Sequence, residues 1–150
     1  MSSNDSTNRE LRISKVFDVP IEVMWRAWTD TTEIAQWWGP NGFTNEIKKM
    51  DFREGGEWLL NMRGTDGKNF PNKSIFREIV PNKKIVFQHF NPNYLATVTF
   101  APKENQTLLD WTMLFETVEL FDIVVKTFKA DEGFKQNAEK LENFLREKAQ

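Results

Sequence analysis

His89 is the only histidine in this sequence, and so the only side chain whose ordinary pKa suits general-base chemistry near neutral pH. Alternation along KIVFQHF sets it on the same face as Ile85 and Phe87, so it is expected to project inward. A lone histidine on an apolar face is more often a hydrogen-bonded structural residue than a base. The chain has no cysteine and no second histidine, which argues against a zinc site and removes disulfides and thiol nucleophiles. Asp110 and Glu57 alternate with Trp111 and Trp58 and fall on the opposite, solvated face, while Glu78 lies at a strand end. They form no acid–base pair across a cleft. Ser14 and Ser74 lack the G-x-S-x-G setting of a nucleophile elbow. Gly55-Gly56 and the GTDGK turn hint at a phosphate loop. The Walker spacing fails, because Gly64 and Gly67 are too close and no Ser or Thr follows Lys68. The double glycine instead suits a tight hairpin or bulge. The residues thus assign no catalytic group, metal or cofactor.

The aromatic residues carry more information. Four of the six tryptophans lie between Trp25 and Trp38, within PIEVMWRAWTDTTEIAQWWGP. Trp37-Trp38 ahead of Gly39-Pro40 would form either a pocket lip or the cap of the core. Adjacent helical positions point about 100° apart, so one is expected inside and the other partly exposed. Trp58, Leu60, Met62, Phe76, Phe87, Trp111 and Met113 would line the concave face of a sheet, with Phe134 and Leu141 facing them from a helix. Core packing and a cavity wall explain these residues equally well. His89 and Tyr94 are the candidate polar contacts for a ligand.

These residues need elements to hold them. LRISKVFD reads as a first strand, and Pro20 suits the first turn of a helix in which Ile21, Trp25 and Trp28 share one face. Asp30 with Glu33 resembles a capping box for a second short helix, stopped at Gly39-Pro40. From Phe43 the period becomes alternating. FTNEIKKMDF, EWLLNMRG, SIFREIV, KIVFQHF, YLATVTF and TLLDWTMLF read as strands joined by short, turn-rich separators, hence antiparallel. ELFDIVVKTF and DEGFKQNAEKLENFLREKAQ carry helical spacing, which predicts a long amphipathic helix from about Asp131 to Lys148 over the apolar face. The fold class is therefore α+β, with about seven antiparallel strands curved around a C-terminal helix. Residues 1–9 read as a disordered tail and 10–150 as a single domain.

Composition bounds the function. The chain has 150 residues, one domain by length, with a net charge of −2 from 20 basic and 22 acidic residues. That balance gives no footprint for nucleic acid and no basic stripe for a membrane surface. No apolar run approaches the roughly 18 residues of a membrane span, and the polar start lacks a signal-peptide pattern. A cytoplasmic location is expected.

WRAWTD, WWGP, DFREGGEW, MRGTDGK, FREIVP and the closing GFKQNAEKLENFL together resemble the family of activators of the heat shock protein 90 ATPase, in its C-terminal-domain-like form. The resemblance covers about residues 11–148. It implies the helix-grip fold of the START-like (SRPBCC) superfamily, some of whose members bind small hydrophobic molecules. The leading expectation is a non-enzymatic domain that holds a small hydrophobic or amphipathic ligand between sheet and helix. The resemblance also implies an alternative, a module that interacts with the chaperone in a stress response. A third is an enzyme acting on a polyketide-like or steroid-like substrate with His89 as base. The partners are accordingly a small hydrophobic ligand or the chaperone.

Overall fold

The structure is a computed structural model that describes residues 6–148. Seven strands form one antiparallel sheet in the order β1-β7-β6-β5-β4-β3-β2. The strands are β1 (Glu10–Phe17), β2 (Thr44–Met50), β3 (Glu57–Arg63), β4 (Asn69–Val80), β5 (Lys84–Phe90), β6 (Tyr94–Lys103) and β7 (Gln106–Phe115). Helices α1 (Ile21–Thr29) and α2 (Thr31–Trp37) follow β1, and α3 (Val118–Lys126) and α4 (Ala130–Lys148) follow β7. This is the expected α+β architecture, with α4 as the long C-terminal helix.

Register follows from alternation. Trp58 and Leu60 on β3, Ile85 and Phe87 on β5, Ala96, Val98 and Phe100 on β6, and Leu109, Trp111 and Phe115 on β7 are all buried on the inner face. A one-residue slip would turn every one of them outward. Bulges between Ile47 and Lys49 on β2 and between Phe76 and Glu78 on β4 interrupt the ladder. Such bulges bend a strand and add twist, which helps wrap the sheet around the helices. Gly55-Gly56 serve the turn before β3: Gly55 N–H donates to the Phe76 carbonyl and Phe76 N–H to that of Gly56.

Several expectations need correction. Residues 1–5 lie outside the described region, but Ser6–Arg9 form a 3-10 turn rather than a disordered tail. The Arg9 guanidinium anchors that turn by donating to the Phe115 carbonyl. On α1 the fully buried positions are Met24, Ala27 and Trp28, and Ile21 and Trp25 flank them half-buried. Asp30 caps α2 by accepting from Thr32 and Glu33 N–H, but Glu33 does not complete the box. Its carboxylate instead accepts from Lys148 at 2.7 Å and ties α2 to the end of α4. Strand β4 begins at Asn69, before the expected Ser74, and contains Pro71. Proline fits because this stretch pairs only with β3; the pairing of β4 with β5 starts at Lys73.

Candidate functional site

Five tryptophans meet in one cluster under the sheet. Trp28 lies 4.8 Å from both Trp37 and Trp111, ring centre to ring centre, and Trp38 lies 4.9 Å from Trp58. Trp58 stacks on Phe76 and meets Phe87 edge-on. The Trp37 indole N–H donates to the Ala27 carbonyl, locking α2 to α1. Trp37 is fully buried and Trp38 is only 7% exposed, so the expectation that one of them is partly exposed is wrong. The reason is backbone geometry. Trp38 is the C-cap of α2, already extended at φ −71° and ψ 141°, so the helical offset does not apply to it.

The cluster fills the deep half of the interior. Trp37, Trp58, Leu60, Phe76, Phe87 and Leu141 belong to this packed core and do not line the inner cleft. The other expected site residues come together. Trp38, Met62, His89, Tyr94, Trp111, Met113 and Phe134 all line one cleft of about 500 Å³ between the sheet and the N-terminal end of α4. Phe43 and Phe128 complete its apolar wall, and Phe128 is 71% exposed. Gly39 sits in the same wall with φ +89°, and a Cβ there would come within 2.6 Å of the Met62 methyl. Glycine lets the WWGP turn press against β3 at this point. A larger concavity of about 850 Å³ lies over β2–β4, on the outer side of the sheet. It is edged by Lys48, Arg63 and Lys73, and of the expected site residues only Leu60 borders it.

The polar groups of the inner cleft gather around His89, which is buried. Its Nδ1 lies 2.9 Å from the Pro92 carbonyl oxygen, an obligate acceptor, so Nδ1 carries the proton. Its Nε2 lies 2.7 Å from Asn72 Oδ1, so with the proton on Nδ1 the two groups pair only when the Asn72 amide presents its Nδ2–H to the ring instead. Burial lowers the His89 pKa below its ordinary 6.5, and the Pro92 hydrogen bond opposes that shift more weakly. The ring is therefore neutral at pH 7. Tyr94, opposite His89 across the β5–β6 ladder, stacks on it at 4.6 Å. Burial pushes the Tyr94 pKa well above its ordinary value, so the phenol stays protonated.

Three residues that sequence reasoning missed hold the walls. Asn72 fixes His89, as above. Asn137 Nδ2 donates to the Trp37 carbonyl at 2.8 Å. Lys140 Nζ donates to the carbonyls of Trp38, Pro40 and Phe43, clamping the WWGPNGF turn to α4. Burial lowers the pKa of that ammonium group. Among the described residues there is no group of three or more acidic, histidine or cysteine side chains placed to hold a metal. No helix there is long and apolar enough to cross a membrane.

Comparison with known proteins gives the family. Residues 18–146 match the family described as activator of Hsp90 ATPase homolog 1-like protein. No curated protein matches the chain. Among solved structures, a protein from Arthrobacter aurescens is 23% identical with a TM-score of 0.89, over 95% of this chain and 89% of its own. A protein from Nitrosomonas europaea is 21% identical with a TM-score of 0.85, over 95% and 97% of the two chains. An AHSA1-like protein from Aeromonas hydrophila is 20% identical with a TM-score of 0.77, over 93% and 94%. At these identities the structures speak for the fold alone. The matched segment spans most of the chain, and the chain belongs to the family of activator of Hsp90 ATPase homolog 1-like proteins.

Proposed function

We propose that this chain is a non-enzymatic binding domain that takes a small amphipathic molecule into the cleft between the sheet and the start of α4. The observation that carries this reading is the composition of that cleft. Apolar rings and two methionines surround about 500 Å³, and a few polar groups cluster around His89. Small-molecule sites are typically concave, roughly 300–1,000 Å³, and mostly apolar with a few placed polar groups. Met62 and Met113 add a wall that adapts to shape. Binding without turnover is favoured because His89 is buried, gives its Nδ1–H to Pro92 and has its Nε2 covered by Asn72 at 2.7 Å, which leaves no open nitrogen to take a proton from a ligand. The cysteine-free chain needs no oxidising compartment to fold, and the proposal places it in the cytoplasm.

The test is a titration with naphthalene followed by NMR. The methyl signals of Met62 and Met113 should move, while that of Val86 on the outer face should not. Met113→Trp should fill the cleft and abolish binding with the fold intact, since overpacking costs only about 1–3 kcal/mol. Still methionine signals, or equal binding by Met113→Trp, would overturn the reading.

A further inference from the structure

The buried polar side chains on the cleft wall differ in what they still offer a ligand. Tyr94 is 9% exposed, and its hydroxyl has no partner among the described residues. Asn137 lines the cleft, is 7% exposed and spends its Nδ2 on the Trp37 carbonyl, which leaves Oδ1 as an unspent acceptor. His89 gives its Nδ1–H to Pro92 and meets Asn72 through Nε2, so it has little left to give. The unspent capacity is thus one hydroxyl, which donates and accepts, and one amide oxygen, which only accepts.

Charge is missing from these inner walls. His89 is neutral at pH 7 and Tyr94 is protonated, both through burial. Lys140, the nearest half-buried cation, uses its ammonium on three backbone carbonyls and does not line the cleft. Lys129 and Glu132 stand at the rim, both exposed and opposite in sign. An ion that enters here loses its hydration and meets no opposite charge. A carboxylate fares worst, because Asn137 Oδ1 repels it and it has no proton to donate.

Building on the binding reading above, we infer that the cleft selects uncharged ring compounds bearing a hydroxyl, held by Tyr94 and Asn137, and rejects the matching carboxylates. A hydroxyl donates to Asn137 Oδ1 or exchanges a hydrogen bond with Tyr94, and the ring lies among Trp38, Trp111 and Phe134.

Calorimetric titration at pH 7.5 with naphthalene, naphthol and naphthoate tests this. Naphthol should bind about three- to tenfold more tightly than naphthalene, the worth of one net hydrogen bond. Naphthoate should bind at least about tenfold more weakly than naphthol. Tyr94→Phe, with its fold checked by a thermal melt, should bring the ratio of naphthol to naphthalene affinity toward one. Naphthoate matching naphthol, or a Tyr94→Phe variant that keeps the full preference for naphthol, would overturn the selectivity while naphthalene binding left the cleft reading standing. If none of the three binds, both fall together.

Discussion

Trp28 is the residue whose replacement best tests the account of the core. It is 2% exposed and sits edge-on to Trp37 and Trp111 at 4.8 Å. Removing a large aromatic side chain from a core costs about 3–5 kcal/mol. Each favourable aromatic pair adds roughly 0.5–1.5 kcal/mol beyond area, which points to the upper half of that range. A second term opposes it. The Trp28 indole N–H is buried with no partner among the described residues. An orphaned donor costs about 1–3 kcal/mol, and removing the side chain relieves that cost. Trp28→Ala should therefore lose about 3–4 kcal/mol of a total near 5–15 kcal/mol. Trp28→Phe keeps most of the ring contacts and discards the orphaned donor, so it should stay within about 1 kcal/mol of wild type. Guanidinium unfolding followed by far-ultraviolet circular dichroism measures both, read as midpoint shifts at constant slope. A Trp28→Ala loss below about 1 kcal/mol would place the ring outside the core. A Trp28→Phe loss equal to that of alanine would show that the orphaned N–H carries no penalty.

Two more outcomes follow from the same geometry. His89 is held below its ordinary 6.5 by burial. Above pH 6.5 both folded and unfolded chains carry a neutral ring; below it the unfolded chain takes the proton first, so stability falls with pH until the folded ring also titrates. The midpoint drop between pH 7.5 and pH 5 should thus be smaller in His89→Gln than in wild type, and equal drops would show an unshifted histidine. At the double glycine, a Cβ on Gly56 would lie 2.0 Å from the Asp51 carbonyl oxygen, whereas one on Gly55, at φ +84°, meets nothing within 4 Å. Gly55→Ala should cost about 1–2 kcal/mol for the left-handed backbone alone, and Gly56→Ala roughly 3 kcal/mol or more because backbone must move. Chemical denaturation of the pair, with the reverse ranking as the refuting result, decides this.

The strands were readable because one face is buried and the separators are short, so alternation and turn residues agreed. Where they disagreed, reading from sequence went astray. Asn69–Lys73 contains Pro71 and two asparagines, which look like a turn, yet pairing to β3 on one side is enough to make them strand. The break between α3 and α4 falls at Thr127–Lys129, where Lys129 adopts φ 54°. Lysine gives no signal for that backbone, and the nearest glycine, Gly133, sits inside α4. At the site, His89 and Tyr94 were legible because the NPN turn sets them opposite each other. Asn137 carried a signal that went unread: a polar residue on the same helical stripe as Phe134 and Leu141, where only a partnered amide belongs. Lys140 carried none, since a lysine on an amphipathic helix looks solvated. Its three carbonyl partners lie about a hundred residues earlier in the chain.

The interior is divided unevenly, and the division follows from residue size along α4. Leu141 and Leu145 on its C-terminal half are fully or nearly fully buried, and Trp28 and Trp37 pack in the same core. At its N-terminal end the helix offers Ala130 and Gly133, and Gly133 lies against Pro40 of the WWGP turn. Small residues there leave the space that the cleft occupies. Stability and recognition are thereby placed on different residues of one core. A substitution in the tryptophan cluster acts on folding, because close-packed rings leave no slack. One at Met113 acts first on what the cleft admits, since its side chain is half-buried and borders open volume. Trp38 and Trp111 belong to both groups, as cluster members that also line the cleft. Substitutions at those two positions should therefore couple binding to stability, as should those at Tyr94, which packs on Phe87 and Phe115, whereas those at half-buried Met113 should separate them.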